Sequence, residues 1–345
     1  MNSNILRFFI IKIFTICTIF TTRSQGVNLT GLEKTWQSQK SFNYRYYKEN
    51  VLELKSHDFK HVRLPVDLDY FLNDADKREK YKFKRLIKRL VKLTANAHMS
   101  LIISNFNHGL NLENYTEESD RISKNWIALL NMLSENEIAV DHIYLDIVNE
   151  PILYPKEWEV SALKIIRAIR EVHPNIVVIY GASNYNSIYE LSRIEPLPVD
   201  NIIYSFHFYE PFVFTHQGTS WTGDQNATLG IPFPYPDSTA TIKMPQLAAK
   251  AMNTAGEVNY KDYDKTGTYQ AISDKLTWVK NWKERNKVEV WCTEYGVTKN
   301  ADEPSRLHYL NAVNQVLRDY NIRGYVWEYK GNFGVKEFII KKQIH

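Results

Sequence analysis

The 345-residue chain is 44% hydrophobic and 13% aromatic, enough to bury a large core within a length that α/β barrels reach as a single domain. Its formal charge of +4 at pH 7 and its two cysteines, Cys17 and Cys292, exclude several classes at once. So small an imbalance gives no electrostatic case for nucleic acid or an anionic membrane, and a disulfide framework needs more thiols.

Residues 1–24 stand apart: they hold Arg7, Lys12 and Arg23, no acidic residue, and an apolar run from Phe8 to Phe20. The pattern predicts a secretory signal peptide, with Thr22 and Ser24 as the small residues before a cut ahead of Gln25. The run falls short of the roughly 18–20 apolar residues of a spanning helix. Cleavage removes three positive charges and lowers the formal charge to +1. It also takes Cys17, so no intrachain disulfide remains. The mature chain, residues 25–345, is expected to be one catalytic domain, secreted or periplasmic, monomeric and free of the membrane.

Along that chain, short β-branched or apolar runs alternate with amphipathic stretches. Candidate strands are Gly26–Thr30, His61–Val66, Met99–Asn105, Ile143–Val148, Asn175–Tyr180, Asn201–Phe208, Val288–Thr293 and Ile322–Trp327. Helical periodicity falls near 78–95, 118–136, 156–172, 267–286 and 303–320. The first of these carries nine basic residues and one Glu between Lys77 and Lys92, read as a solvated face because Phe83, Leu86, Ile87, Leu90 and Val91 fall on the opposite one. Alternation of this kind predicts a single (β/α)8 TIM barrel, since no Gly-rich phosphate loop follows any strand to favour an open doubly wound sheet. After strand six, Tyr209 to Gly267 lacks regular pattern. Its density of aromatics, with Trp221, His216 and Gln217 among its residues, predicts an ordered loop walling the mouth.

In a parallel barrel the strand ends converge on one face. That face collects Arg63, His108, Asn149, Glu150, His207, Tyr209, Glu294 and Trp327. Alone, Asn149-Glu150-Pro151 reads as a strand end whose side chains cap the next helix, and His207 as a satisfied core histidine. Together, two carboxylates on strands four and seven are the minimum equipment for cleaving a glycosidic bond: one protonates the leaving oxygen, the other attacks the anomeric carbon or activates water. Their environments must differ, and Arg63 is suited to keeping one ionised. A metallohydrolase is disfavoured because no His-x-x-x-His pair falls on a predicted helix. No cofactor is implied.

The segments Leu-Asp-Ile-Val-Asn-Glu-Pro (145–151), Trp-Cys-Thr-Glu-Tyr-Gly (291–296), His-Val-Arg-Leu-Pro-Val (61–66) and Ser-Phe-His-Phe-Tyr-Glu-Pro (205–211) resemble glycoside hydrolase family 5, the cellulase family, over about residues 26–335. The resemblance implies Glu150 as acid/base, Glu294 as nucleophile, Arg63 beside it, Asn149 on the sugar 2-hydroxyl, and the pair His207 and Tyr209, the tyrosine bonding the nucleophile. It also implies Trp327 as the platform under the sugar at the cleavage point. Trp221 is a candidate second platform. The family's paired histidines after strand three become Asn107 and His108, leaving His108 as the candidate subsite contact. Only 18 residues follow Trp327, so the closing helix is expected to be short or displaced. The reading is a secreted retaining endo-β-1,4-glucanase acting on a polysaccharide or oligosaccharide. The rivals are the same machinery on β-mannan, xyloglucan or β-1,3-glucan, and an inactive carbohydrate-binding barrel.

Overall fold

A computed structural model describes residues 26–33, 43–239 and 241–344; the predicted signal peptide lies outside them. Eight parallel strands, β1 (Gly26–Asn28), β2 (His61–Val66), β3 (Ser100–Asn105), β4 (Ile143–Asp146), β5 (Val177–Gly181), β6 (Ile202–Phe208), β7 (Glu289–Tyr295) and β8 (Arg323–Val326), close in sequence order. The ring shuts where Gly26 pairs with Tyr325 and Val27 with Val326. A Cβ on Gly26 would lie 2.1 Å from the Tyr325 ring, so glycine lets that ring fill the barrel floor beside Ile102, Ile179, Ile203 and Trp291.

The helices are α1 (Tyr44–Ser56), α2 (Lys77–Asn96), α3 (Tyr115–Ser134), α4 (Pro155–Val172), α5 (Ile188–Leu191), α6 (Tyr269–Asn286), α7 (Glu303–Asp319) and α8 (Lys336–Ile340). Their starts are written locally: Asp76, Thr268 and Asp302 accept from the backbone N–H groups of Glu79, Ala271 and Ser305, satisfying donors a helix leaves open. The basic α2 buries Phe83, Leu86, Ile87, Leu90 and Val91 as expected. Helix α1 was not anticipated, and α8 is short, with five residues. Trp126 and Trp158 are fully buried and donate through Nε1 to Ile147 O at 3.2 Å and Gly181 O at 2.7 Å, carbonyls at strand ends. Trp278, by contrast, is exposed, with the Lys275 ammonium 4.5 Å over its ring; α6 turns that side to solvent.

Two features of the fold aim side chains at the mouth. The β6–β7 register slips between Phe206 and His207, and the β7–β8 register slips between Cys292 and Tyr295. Such irregularities re-aim side chains, and here they flank His207 and Glu294. The long β6–α6 connection is a packed segment of short helical turns. Gln217 staples it, accepting from Ile231 N at 3.0 Å and donating to Ile231 O at 2.9 Å. Gln217 therefore serves the loop, not the cleft.

Candidate active site

The centre of the mouth is a buried guanidinium. Arg63 has no exposed surface. Its Nη1 donates to Asn28 Oδ1 at 2.8 Å and Glu294 Oε1 at 2.6 Å. Nε and Nη2 donate to Asp146 Oδ2 at 3.0 and 2.8 Å, and Nη2 reaches Asn149 Oδ1 at 2.6 Å. Ser104 Oγ lies 2.8 Å from both Nη2 and Asp146 Oδ2. A buried cation must be paired and saturated with acceptors, and strands β1, β3, β4 and β7, with the residues just beyond β4, each deliver part of that set.

Glu294 takes a second hydrogen bond, from Tyr209 Oη to Oε2 at 2.8 Å. On balance burial, with neighbouring Glu150 adding to it, holds its carboxyl above the usual value against the pull of Arg63. Two donors aimed at its oxygens favour the anion. Burial and Glu294 together raise the Tyr209 phenol well above its usual value, so it stays a donor.

Glu150 sits differently. Its side chain is 35% exposed, against 5% for Glu294, and its Oε1 lies 2.7 Å from His207 Nδ1. Desolvation raises its carboxyl to about 7, opposed by Arg63 at longer range. His207, buried, is pushed down to about 4 by desolvation and stays neutral. One oxygen from each glutamate and a ring nitrogen of His207 lie within 4.8 Å of one another. The same three atoms form a donor set of the kind a divalent cation uses, although the His207–Glu150 hydrogen bond already engages two of them.

Around this pair, Trp327 is half-buried and stacks on Phe106 with ring centroids 6.0 Å apart and planes 13° from parallel. Trp221, 42% exposed, leans on Phe333 at 6.3 Å, and Phe333 touches Tyr209 edge-on at 6.1 Å. The loop thus joins the site through an aromatic chain. His216 is buried and stacked on Phe212 at 4.0 Å, and desolvation lowers it to about 3. His108 is exposed on the β3–α3 loop, near enough to Asp67 to interact with it. That loop is organised by Asn107, which donates to Asp69 and to Glu118 Oε1 and accepts from Leu110 N at 2.8 Å.

Asn28, Ser104 and Asp146 escaped the sequence reading. Asp146 falls inside the apolar strand Ile143–Val148 and Asn28 inside Gly26–Thr30, where neither stands out. A charge inside a buried strand run was the available signal, because it demands a partner.

A closed eightfold barrel with a carboxylate pair on β4 and β7, braced by a buried arginine, defines a barrel glycoside hydrolase. The chain matches the family described as Cellulase (glycosyl hydrolase family 5) over residues 20–333, and it belongs to that family. Endoglucanase 3 of Fibrobacter succinogenes is 31% identical over 337 residues, 91% of this chain; the chain spans 50% of that protein's length. Endoglucanase C of Acetivibrio thermocellus is 28% identical over 88% of this chain and 90% of its own. Thermotoga maritima Cel5A in complex with cellobiose shares the fold, with TM-score 0.72 at 18% identity over 94% of this chain and 98% of its own. The same protein solved with mannotriose gives TM-score 0.70, also at 18% identity over 94% and 98%.

Proposed function

We propose that this protein is a retaining endo-β-1,4-glucanase. Glu294 attacks the anomeric carbon while Glu150 gives its proton to the departing glycosidic oxygen, so the C–O bond breaks to a neutral alcohol and a glycosyl ester of Glu294. Glu150, now the base, takes a proton from water, whose oxygen displaces Glu294 and releases the sugar. The observation that carries this reading is the approach of the two carboxylates, one oxygen of each lying within 4.8 Å of the other's, so that the groups face each other across a gap of the short kind. Retention works at roughly 5–5.5 Å between carboxyl groups, whereas inversion leaves about 6.5–9.5 Å for a water.

The surroundings fit the division of labour. Arg63 and Tyr209 donate to Glu294, as a nucleophile needs; the raised Glu150 keeps a proton to give. Asn149 Oδ1 is engaged by Arg63, which leaves its Nδ2 to donate to a sugar 2-hydroxyl. Trp327 offers the ring face under the sugar at the cleavage point, and Trp221 a platform farther along the cleft. His108, exposed on its loop, remains the candidate contact for a neighbouring sugar. Export by the leader at residues 1–24 belongs to the same proposal, since a polymeric substrate lies outside the cell.

The polymer is tested directly. Carboxymethyl-cellulose, lichenan, glucomannan, mannan and laminarin are incubated with the protein and the products sized. Glucan cleavage to mixed oligosaccharides with β-configured first products, read by NMR, is expected. Mannan as the preferred polymer supports the second reading, favoured by the mannotriose complex of Cel5A; α-configured products would overturn retention. Glu294→Gln should lose turnover by about 10⁴-fold or more while the protein stays folded.

A further inference from the structure

Helix α2 carries nine basic residues against one Glu, a charge of +8 in a chain whose total is +4, so the rest of the molecule sums to −4. Its apolar stripe, Phe83 to Val91, is buried against the barrel, which decides what the opposite side displays. Arg78, Lys82, Arg85, Arg89 and Lys92 recur at intervals of four, three, four and three residues, so helical geometry sets them in one file. All five are exposed. At 1.5 Å per residue the file is about 21 Å long, with roughly one cation per turn. Like charges at these intervals repel one another. Among the described residues, no ion pair relieves that repulsion at Arg78, Arg85, Arg89 or Lys92.

The file is also narrow. Toward α1, Arg89 lies 3.5 Å over the Tyr44 ring, and Arg45 and Glu49 beyond it form their own pair at 2.7 Å. Toward α3, Lys88 donates to Asn136 Oδ1 at 3.2 Å, between the exposed Glu135 and Glu137. A flat anionic membrane would meet those carboxylates along with the cations, and α2 has no apolar face left to insert, because that face is already buried. A linear polymer follows the file and avoids its flanks. Single-stranded nucleic acid is linear too, but its binders supply a series of rings for the bases, and the one aromatic that α2 exposes is Tyr81. Three of the five cations are arginines, whose planar fork matches a carboxylate through paired hydrogen bonds.

We propose that the outer face of α2 is a docking strip for a linear polyuronate, a polysaccharide with one carboxylate on each sugar ring. The strip lies on the outer wall of the barrel, so a chain held along it leaves the mouth with Glu150 and Glu294 open. A polymer tethered there raises the effective concentration of any second glycan entangled with it. The inference goes beyond the glucanase reading and does not depend on it.

The full chain is titrated with polygalacturonate, single-stranded DNA and phosphatidylserine vesicles at about 50 and about 200 mM salt. Polygalacturonate is expected to bind tightest, and to weaken by about tenfold or more across that range. Arg78→Glu/Arg85→Glu/Lys92→Glu should lose about tenfold or more at the lower salt. Lys156→Glu/Lys250→Glu/Arg285→Glu makes the same change in net charge on exposed residues elsewhere, and should lose less than about threefold. Arg78→Gln/Arg85→Gln/Lys92→Gln falls between wild type and the α2 reversal, and circular dichroism melts establish that each variant is folded. No binding by wild type at the lower salt, equal losses in the two reversal variants, or tighter binding to DNA or vesicles overturns the strip. Cellopentaose turnover stays at the wild-type level in the α2 variants. Wild-type protein inert toward cellopentaose while still binding polygalacturonate would sink the glucanase reading and leave the strip standing.

Discussion

Two glutamates meet at the barrel mouth with oxygens within 4.8 Å, yet they stand in different chemical worlds. Glu294 is sealed against Arg63 and Tyr209, with side-chain exposure of 5%; Glu150 has 35% exposure and a neutral imidazole for a neighbour. The same carboxyl receives two hydrogen bonds from Arg63 and Tyr209 in one place and sits half-open beside an imidazole in the other. Its role is set by what surrounds it, not by residue type. The brace is also shared: Arg63 serves Asp146 as well as Glu294. If Glu294 is esterified during turnover it loses its charge, and Asp146 is then the carboxylate that keeps the guanidinium from being an unpaired buried cation.

The comparison breaks hardest if the brace is removed. Arg63→Met leaves Asp146 and Glu294 buried together without their cation, an arrangement that costs about 3–5 kcal/mol. Urea titration is expected to show that loss, and turnover should fall by about 10³-fold or more because Glu294, the proposed nucleophile, retains its proton. A variant with wild-type stability would mean the two carboxylates do not depend on the guanidinium. Asp146→Asn is the milder form: Arg63 keeps a partner in Glu294, and the deficit concentrates in forming the neutral ester. Accumulation of the intermediate from a 2-fluoro-cellobioside with a good leaving group is expected to slow by about 10-fold or more.

A smaller effect sharpens the Glu150 side. If Glu150 is the acid, as proposed, it must be protonated in the free enzyme, and desolvation raises it to about 7. The kcat/KM for cellopentaose should therefore decline as pH rises through about 7. With β-cellobiosyl fluoride, whose departure needs no proton, that limb should flatten. Identical limbs for both substrates would assign the ionisation to another group.

Much of this arrangement was legible because a parallel barrel gathers its strand ends. Once His61–Val66, Ile143–Val148 and Val288–Thr293 were read as strands, Arg63, Glu150 and Glu294 had to share a face. His207 and Tyr209 followed by the same logic, and the structure places both against the carboxylates. Asp146 and Asn28 stayed hidden because their role is defined only by partners on other strands, at separations of 83 and 35 residues from Arg63. Loop residues were least legible. His108 lies in a segment whose direction depends on Asn107 bonding Asp69 and Glu118, contacts no periodicity encodes. Helix α1 was missed because its buried side chains Tyr47, Asn50, Val51 and Leu54 include a polar residue and a tyrosine, so the helical stripe is blurred.

The last and smallest test reads the Glu150 environment through stability rather than rate. In the unfolded chain its carboxyl ionises near 4.5, whereas in the fold it is held up to about 7. Between those values the unfolded state gives up the proton more readily than the folded one, so this group disfavours folding progressively as pH rises from about 4.5 through about 7. Glu150→Gln deletes the ionisation and keeps the shape. Its Tm should match wild type near pH 4 and exceed it above pH 8. Because the side chain is 35% exposed, solvent screening restrains the gain to no more than about 2 °C. A gain of the same size at both pH values would trace it to packing instead. Arg63→Met loses stability because a buried anion needs its cation; Glu150→Gln gains it because this carboxyl is held where its anion is poorly solvated, which is the condition an acid catalyst requires.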